Sequence, residues 1–257
     1  MRTATPIAAV APSPQWRRLA TSALIDAAGA LLLLAGSAAG LGALFRLPLP
    51  YVGQSLLAFA ALLLALLPFL PQHLPLQRFG AANRVTLLRA AIAALAAGLI
   101  GRAPLTSGLL WSVAALAGLA LALDGVDGYL ARRDHLQSPF GARFDMEVDA
   151  FLILVLATLV YQTDKAGAWV LLSGLMRYGF IALGRALPQL NQPLPPSKRR
   201  QAICVIQSIA LVAALTPLLV PPWSARLAAA ALGALIASFA ADVIWLARHS
   251  LSEENSA

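Results

Sequence analysis

Eight apolar runs of similar length set the terms for this chain. They fall at about 20–44, 52–70, 85–103, 106–124, 145–162, 166–186, 201–220 and 225–247, joined by short polar segments. A helix of roughly 20 residues crosses the hydrocarbon of a bilayer, whereas a barrel strand alternates polar and apolar residues over about 10. The runs show no such alternation, so each predicts a membrane-spanning helix that satisfies its own backbone. Composition agrees, with 60% of the 257 residues hydrophobic and 12% charged, far from an ordinary soluble domain. The expected fold is an all-α integral membrane protein of about eight spans. No joining segment is long enough for a soluble domain, so any chemistry must come from helix ends.

Loop charge gives the orientation. With the N-terminus in the cytoplasm, Arg2, Arg17, Arg18, Arg78, Arg84, Arg89, Arg132, Arg133, Arg143, Arg185, Lys198, Arg199, Arg200 and Arg248 fall inside. Only Arg46, Arg102, Lys165 and Arg226 fall outside, and Arg177 lies within a span. Lys and Arg in short loops mark the cytoplasmic side, so both termini are expected there, in a multi-pass protein of a bacterial inner membrane. The net charge of +8 is spread over these loops and reads as membrane-surface contact, not nucleic-acid binding.

Residues 1–19 are expected to form a disordered cytoplasmic N-terminus, and 249–257 a cytoplasmic tail. The first apolar run is longer than a signal-peptide core and reads as an uncleaved span. Gly36 and Gly40 are expected to let a neighbouring helix approach closely. Asp26 reads as an interfacial or helix-start carboxylate, and the single cysteine, Cys204, as packing.

The chemistry concentrates between the fourth and fifth runs, in Asp124 to Asp149, DGVDGYLARRDHLQSPFGARFDMEVD. In helices, Asp124 and Asp127 share a face with Gly128 and Ala131, and Asp145 and Asp149 share a face one turn beyond Gly141. Carboxylates crowded beside hydrocarbon repel one another and are costly to desolvate, which calls for a cation between them. Aspartate oxygens suit Mg²⁺ or Mn²⁺. A metal held by carboxylates implies a phosphate substrate, because it bridges both kinds of oxygen. Gly128 and Ala131 leave room for a substrate near the backbone, and Arg132 offers a planar fork for phosphate or a nucleotide. Asp134 and Glu147 fall off the shared face and read as surface charges, and His135 as a solvent-exposed loop residue.

Asp124-x-x-Asp127-Gly128-x-x-Ala131-Arg132, eight residues, then Gly141-x-x-x-Asp145-x-x-x-Asp149 resembles the complete signature of the CDP-alcohol phosphotransferases, integral membrane enzymes of phospholipid synthesis. The resemblance implies a six-helix catalytic core, here 81–248, so the two spans within 20–80 are extra. It also implies a CDP-linked donor, two metal ions held chiefly by Asp124, Asp127 and Asp145 with Asp149 beside them, and Asp149 as general base. Homodimers are frequent in such families, and the sequence neither supports nor opposes one here. The expected reaction moves a phosphatidyl group from CDP-diacylglycerol to a small alcohol acceptor and releases CMP.

Asn83-x-x-Thr86-x-x-Arg89 opens the third run and resembles what the family carries at the start of its first core helix. The expectation is a contact with nucleotide or metal-bound phosphate, although capping also accounts for Asn83 and Thr86. Arg177, a cation inside a span, together with Lys198, Arg199 and Arg200, is expected to bind an anionic acceptor such as glycerol 3-phosphate. Gln207 could line the same cavity. The bland readings are a pair between Arg177 and one of the aspartates, and contact of the basic cluster with anionic lipid. Other readings are a neutral acceptor such as inositol or serine, transfer from a soluble CDP-alcohol, a transporter, and a membrane scaffold. Internal repeats and broken helices, which mark many transporters, are not evident.

Overall fold

Polar residues in front of the apolar runs start the helices. Ser13, Thr106 and Ser138 accept hydrogen bonds through their hydroxyl oxygens from the backbone N–H groups of Trp16, Leu109 and Gly141 at 3.2, 3.3 and 3.0 Å, which satisfies donors that a helix start leaves free. Proline, which has no N–H to lose, stands at the first helical position behind Ser13 and Ser138.

The computed structural model describes residues 13–134, 136–186 and 197–254. Among them are eight α-helices: α1 (Pro14–Phe45), α2 (Pro50–Leu66), α3 (Gly80–Ala97), α4 (Ser107–Arg133), α5 (Pro139–Gln162), α6 (Leu172–Ala186), α7 (Lys198–Leu215) and α8 (Trp223–Glu254). Short 3₁₀ segments follow α2 at Leu67–His73 and precede α6 at Ala168–Leu171. No strand occurs among the described residues. Four stretches, Pro14–Phe45, Pro50–His73, Ser107–Arg133 and Trp223–Leu246, are long and apolar enough to cross a membrane. The other helices differ from the expected uniform spans. α3 and α7 have 18 residues and α6 has 15, and α5 carries Arg143, Asp145, Glu147 and Asp149 in its first turns.

Several boundaries move. α1 begins at Pro14, so residues 14–19 are helical, and residues 1–12 lie outside the described residues. Asp26 is therefore well inside α1 instead of at its start, and it accepts a hydrogen bond from Arg84 Nε at 3.0 Å. α3 begins at Gly80, five residues before the apolar run, which places Asn83 and Thr86 within the helix and not at its cap. α8 runs on to Glu254, through most of the expected tail. A Cβ added to Gly36 or Gly40 would meet nothing within 4 Å, so these glycines serve no close approach within the described chain.

α3 is the central helix. Its residues Arg89–Ala97 are all buried, between α4, α5, α1 and α2. Six of those nine residues are alanine, and small side chains let surrounding helices come close in an environment where apolar burial alone does not drive association. The α1–α2 hairpin grips α3 directly. Tyr51 Oη donates to the Leu95 carbonyl at 3.2 Å, and Gln54 Nε2 lies 3.2 and 3.0 Å from the carbonyls of Ala97 and Ile100. A Cβ on Gly98 would sit 2.1 Å from Ser55 Oγ and 2.8 Å from the Tyr51 ring, so only glycine permits that approach. Leu24, Ile25, Leu32, Leu57 and Leu64 remain exposed on the hairpin's other faces, as lipid contact requires.

At the far end from the site, Lys165 joins two loops. Its Nζ donates to the carbonyls of Thr216, at 2.8 Å, and Leu219, and its own carbonyl accepts from Ser224 Oγ at 2.7 Å. Burial lowers its pKa below the usual lysine value. Half-buried Cys204 packs against the hydrophobic core.

Candidate active site

Two helix ends and the middle of a third helix build the site. The last turns of α4 carry Asp124 and Asp127, the first turns of α5 carry Asp145 and Asp149, and α3 crosses between them with Arg89 pointing at all four. Arg89 Nη1 contacts Asp127 Oδ2 at 2.6 Å and Asp145 Oδ1 at 2.5 Å. Its Nη2 contacts Asp124 Oδ1 at 2.5 Å and also Asp149 Oδ1. The Arg89 side chain is 0% exposed and its Nε is buried without a hydrogen-bond partner. Asp127 is buried, while Asp124, Asp145 and Asp149 are 32%, 38% and 29% exposed, so the cluster opens on one side.

Such a cluster satisfies the requirement that set it apart in the sequence: a positive group stands among the carboxylates. That group is Arg89, read from sequence as a donor contact. The nearest signal was its register, three residues after Thr86 and six after Asn83, which sets the three on one side of α3. Oxygens of Asp124, Asp127 and Asp145 all lie within 4.8 Å of one another. Three hard anionic oxygens this close fit a divalent cation such as Mg²⁺ or Mn²⁺. Asp149 stands outside that trio and shares only the guanidinium.

The surrounding residues fix the helices against each other. Thr86 Oγ1 lies 3.2 Å from both Asp127 Oδ2 and the Ala82 carbonyl. Asn83 Nδ2 donates to the Phe79 carbonyl at 2.6 Å, and its Oδ1 would be 3.2 Å from a Cβ on Gly141. Gly141 is thus the point where α5 closes on α3. On α4, the Arg132 guanidinium folds back over Gly128, with Nη1 3.4 Å from where a Cβ would stand, and Ala131 is half-buried beside them. Arg132 itself is exposed.

The arginines assigned to the acceptor pair with acidic side chains on two different helices. Arg177 on α6 donates through Nη2 to Glu147 Oε1 at 2.6 Å. Glu147, read as a surface charge, is instead its partner and sits between Asp145 and Asp149 in sequence, so the alternative reading of Arg177, a pair with one of the aspartates, gives way to a pair with a glutamate. Arg177 Nε is buried without a partner. Arg199 Nη2 pairs with Asp242 Oδ1 on α8 at 2.5 Å, and Arg200 Nη1 lies 3.5 Å from the same oxygen. The side chain of Lys198 lies outside the described residues, as does His135. Gln207 is buried, donates to Ser173 Oγ at 3.0 Å, and keeps an unpartnered Oε1. Asp134 is exposed, as expected.

Asp242, the partner of Arg199, and His73 both escaped the sequence. His73, at the end of the 3₁₀ segment after α2, is 0% exposed and lies 2.6 Å from Ser138 Oγ and 2.9 Å from the Arg78 carbonyl. A lone histidine closing an apolar run carries no pattern that could have singled it out. A family model described as CDP-alcohol phosphatidyltransferase matches residues 79–243. No curated protein and no solved structure matches the chain.

Proposed function

The chain belongs to the CDP-alcohol phosphatidyltransferase family, and from that premise we propose that it transfers the phosphatidyl group of CDP-diacylglycerol to a small alcohol in phospholipid head-group synthesis. The observation that carries this reading is the convergence of Asp124, Asp127, Asp145 and Asp149 at one end of the bundle, within the matched segment. The apolar helices make it a membrane protein. The eight apolar runs support six spans in the catalytic part and two in front of it, and the distribution of Lys and Arg supports the site on the cytoplasmic side.

Asp124, Asp127 and Asp145 would hold two divalent ions, Mg²⁺ or Mn²⁺, with Asp149 beside them. When bound, these would supply charge neutralisation for the pyrophosphate oxygens. Arg132 meets donor phosphate or nucleotide in this reading, which its exposure beside Gly128 supports. Asn83, Thr86 and Gly141 act behind the carboxylates and Arg89 among them, setting their positions. Asp149 accepts the proton of the acceptor hydroxyl, whose oxygen bonds to the phosphorus bearing diacylglycerol while the bond from that phosphorus to the bridging oxygen breaks and CMP leaves. A base so used must be within hydrogen-bond reach of the hydroxyl and not fully engaged elsewhere, and Asp149's place outside the close trio of oxygens supports that role.

For the acceptor, Arg177 with its unpartnered Nε supports an anionic alcohol such as glycerol 3-phosphate. A second reading, a neutral acceptor such as inositol or serine, is favoured by the pairing of Arg177 with Glu147 and of Arg199 and Arg200 with Asp242. Membranes holding the protein, given CDP-diacylglycerol, Mn²⁺ or Mg²⁺ and each alcohol in turn, should release CMP with one of them. Asp149→Asn should abolish turnover and keep nucleotide binding. Full activity of that variant sinks the base assignment, and no CMP release with any acceptor sinks the reaction.

A further inference from the structure

The helices in front of residue 79 lie outside the matched family segment, yet their end reaches the helix that carries two of the site carboxylates. The Arg78 carbonyl can only accept, so His73 Nε2 carries the proton and donates to it at 2.9 Å. Fully buried with no carboxylate against it among the described residues, the ring is neutral, so His73 Nδ1 is an acceptor and Ser138 Oγ–H donates to it at 2.6 Å. Ser138 Oγ in turn accepts from Gly141 N–H at 3.0 Å as the cap of α5. The chain of bonds therefore runs from the α3 approach through the His73 ring to the first turn of α5, and every member is satisfied. Gly141, its last member, is the residue pressed against Asn83 Oδ1, and Asp145 stands one helical turn further on.

Packing around the ring repeats the connection. His73 meets Phe140 edge to face with centroids 5.8 Å apart, and Phe79, Phe140 and Phe144 close on each other at 5.8–6.1 Å. The Arg143 guanidinium lies 3.9 Å over the Phe69 ring of the same 3₁₀ segment. From α1, Ser22 Oγ accepts from Phe79 N–H at 3.2 Å, Arg18 Nη1 donates to Gln77 Oε1 at 3.2 Å, and Asp26 pairs with Arg84. A loosely held anchor would have none of these. The hairpin holds α3 along its length and α5 at its start.

We propose that the N-terminal hairpin is a fixed part of the active-site framework and that His73 is a positioning residue, which sets the start of α5 and through it Asp145 and Asp149. This rests on the reading of those aspartates as metal ligands and base. Residues that orient metal ligands from behind typically shift metal affinity or activity about 10- to 100-fold when removed.

The test uses the full-length protein in lipid nanodiscs, with Mn²⁺ alone titrated by electron paramagnetic resonance and CMP release assayed at saturating Mn²⁺. His73→Phe keeps the aromatic packing and loses both hydrogen bonds. It should weaken Mn²⁺ binding and lower kcat, each about ten-fold, with KM for the lipid donor within two-fold. His73→Gln, which can still accept and donate, should recover most of both. Combining His73→Phe with Ser138→Ala should cost no more than the larger single effect, because the two share one relay. Mn²⁺ affinity and kcat within two-fold of the unmodified protein in His73→Phe would overturn the proposal. So would equal losses in His73→Phe and His73→Gln that follow the loss of thermal stability. If the unmodified protein binds Mn²⁺ but releases no CMP, the reaction reading fails while Mn²⁺ affinity still decides the role of His73.

Discussion

At the scale of the residue, Arg89 decides how four carboxylates can share one end of a helix bundle. Each carboxylate alone would be costly beside hydrocarbon, and together they repel. The buried guanidinium offsets both costs by spreading two nitrogens over four oxygens. Removing one partner of a buried ionic group leaves the rest uncompensated, typically a loss of about 3–5 kcal/mol. Arg89→Ala should therefore lower stability by about that much in chelator, and Mn²⁺ should restore more stability to the variant than it adds to the unmodified protein. Thermal unfolding of both proteins, with and without Mn²⁺, checks this, and an equal response to Mn²⁺ would count against a cation-binding cluster. The aspartates were legible because their spacing repeats on helix faces. Arg89's place was not, because nothing local tells a residue on α3 that four oxygens from α4 and α5 will surround it. Glu147 failed for the same reason: its partner, Arg177, is 30 residues away.

At the scale of the element, α3 is held by helices that the apolar pattern made look like separate spans. The hairpin's fit depends on Gly98, where a Cβ would collide with Ser55 Oγ and Tyr51. Gly98→Ala should force α2 away from α3 and cost about 1–3 kcal/mol, the usual range for overpacking a tight contact. Chemical or thermal unfolding of the purified variant measures it. Pairing Gly98→Ala with Ser55→Ala, which removes the nearest colliding atom, should recover part of the loss. The sequence drew attention to Gly36 and Gly40 and passed over Gly98, since a small-residue pattern does not say which face meets a neighbour. Helix starts were more legible where a hydroxyl precedes the run, at Ser13, Thr106 and Ser138. α3 departed from its expected start because Gly80–Arg84 is helical before the apolar run begins, held there by contacts with α1.

At the scale of the whole molecule, the loop charges predict which side of the membrane the site faces. In a Cys204→Ser background, a cysteine introduced at Asp134 should react with an impermeant thiol reagent only after the membrane is opened, and one at Asp164 should react in intact cells. The reverse pattern would invert the orientation. The sequence by itself determined that the chain is helical and membrane-embedded, because apolar runs of bilayer length leave no other way to satisfy the backbone. It also determined that Asp124, Asp127, Asp145 and Asp149 belong together, because helical periodicity is a local property that spacing records. Only the tertiary structure decided what stands among and behind them: Arg89 between the carboxylates, Glu147 against Arg177, Asp242 against Arg199, and the His73 relay from an N-terminal hairpin to the start of α5. Those are contacts between side chains remote in sequence, fixed by how helices pack and not by the pattern along any one of them.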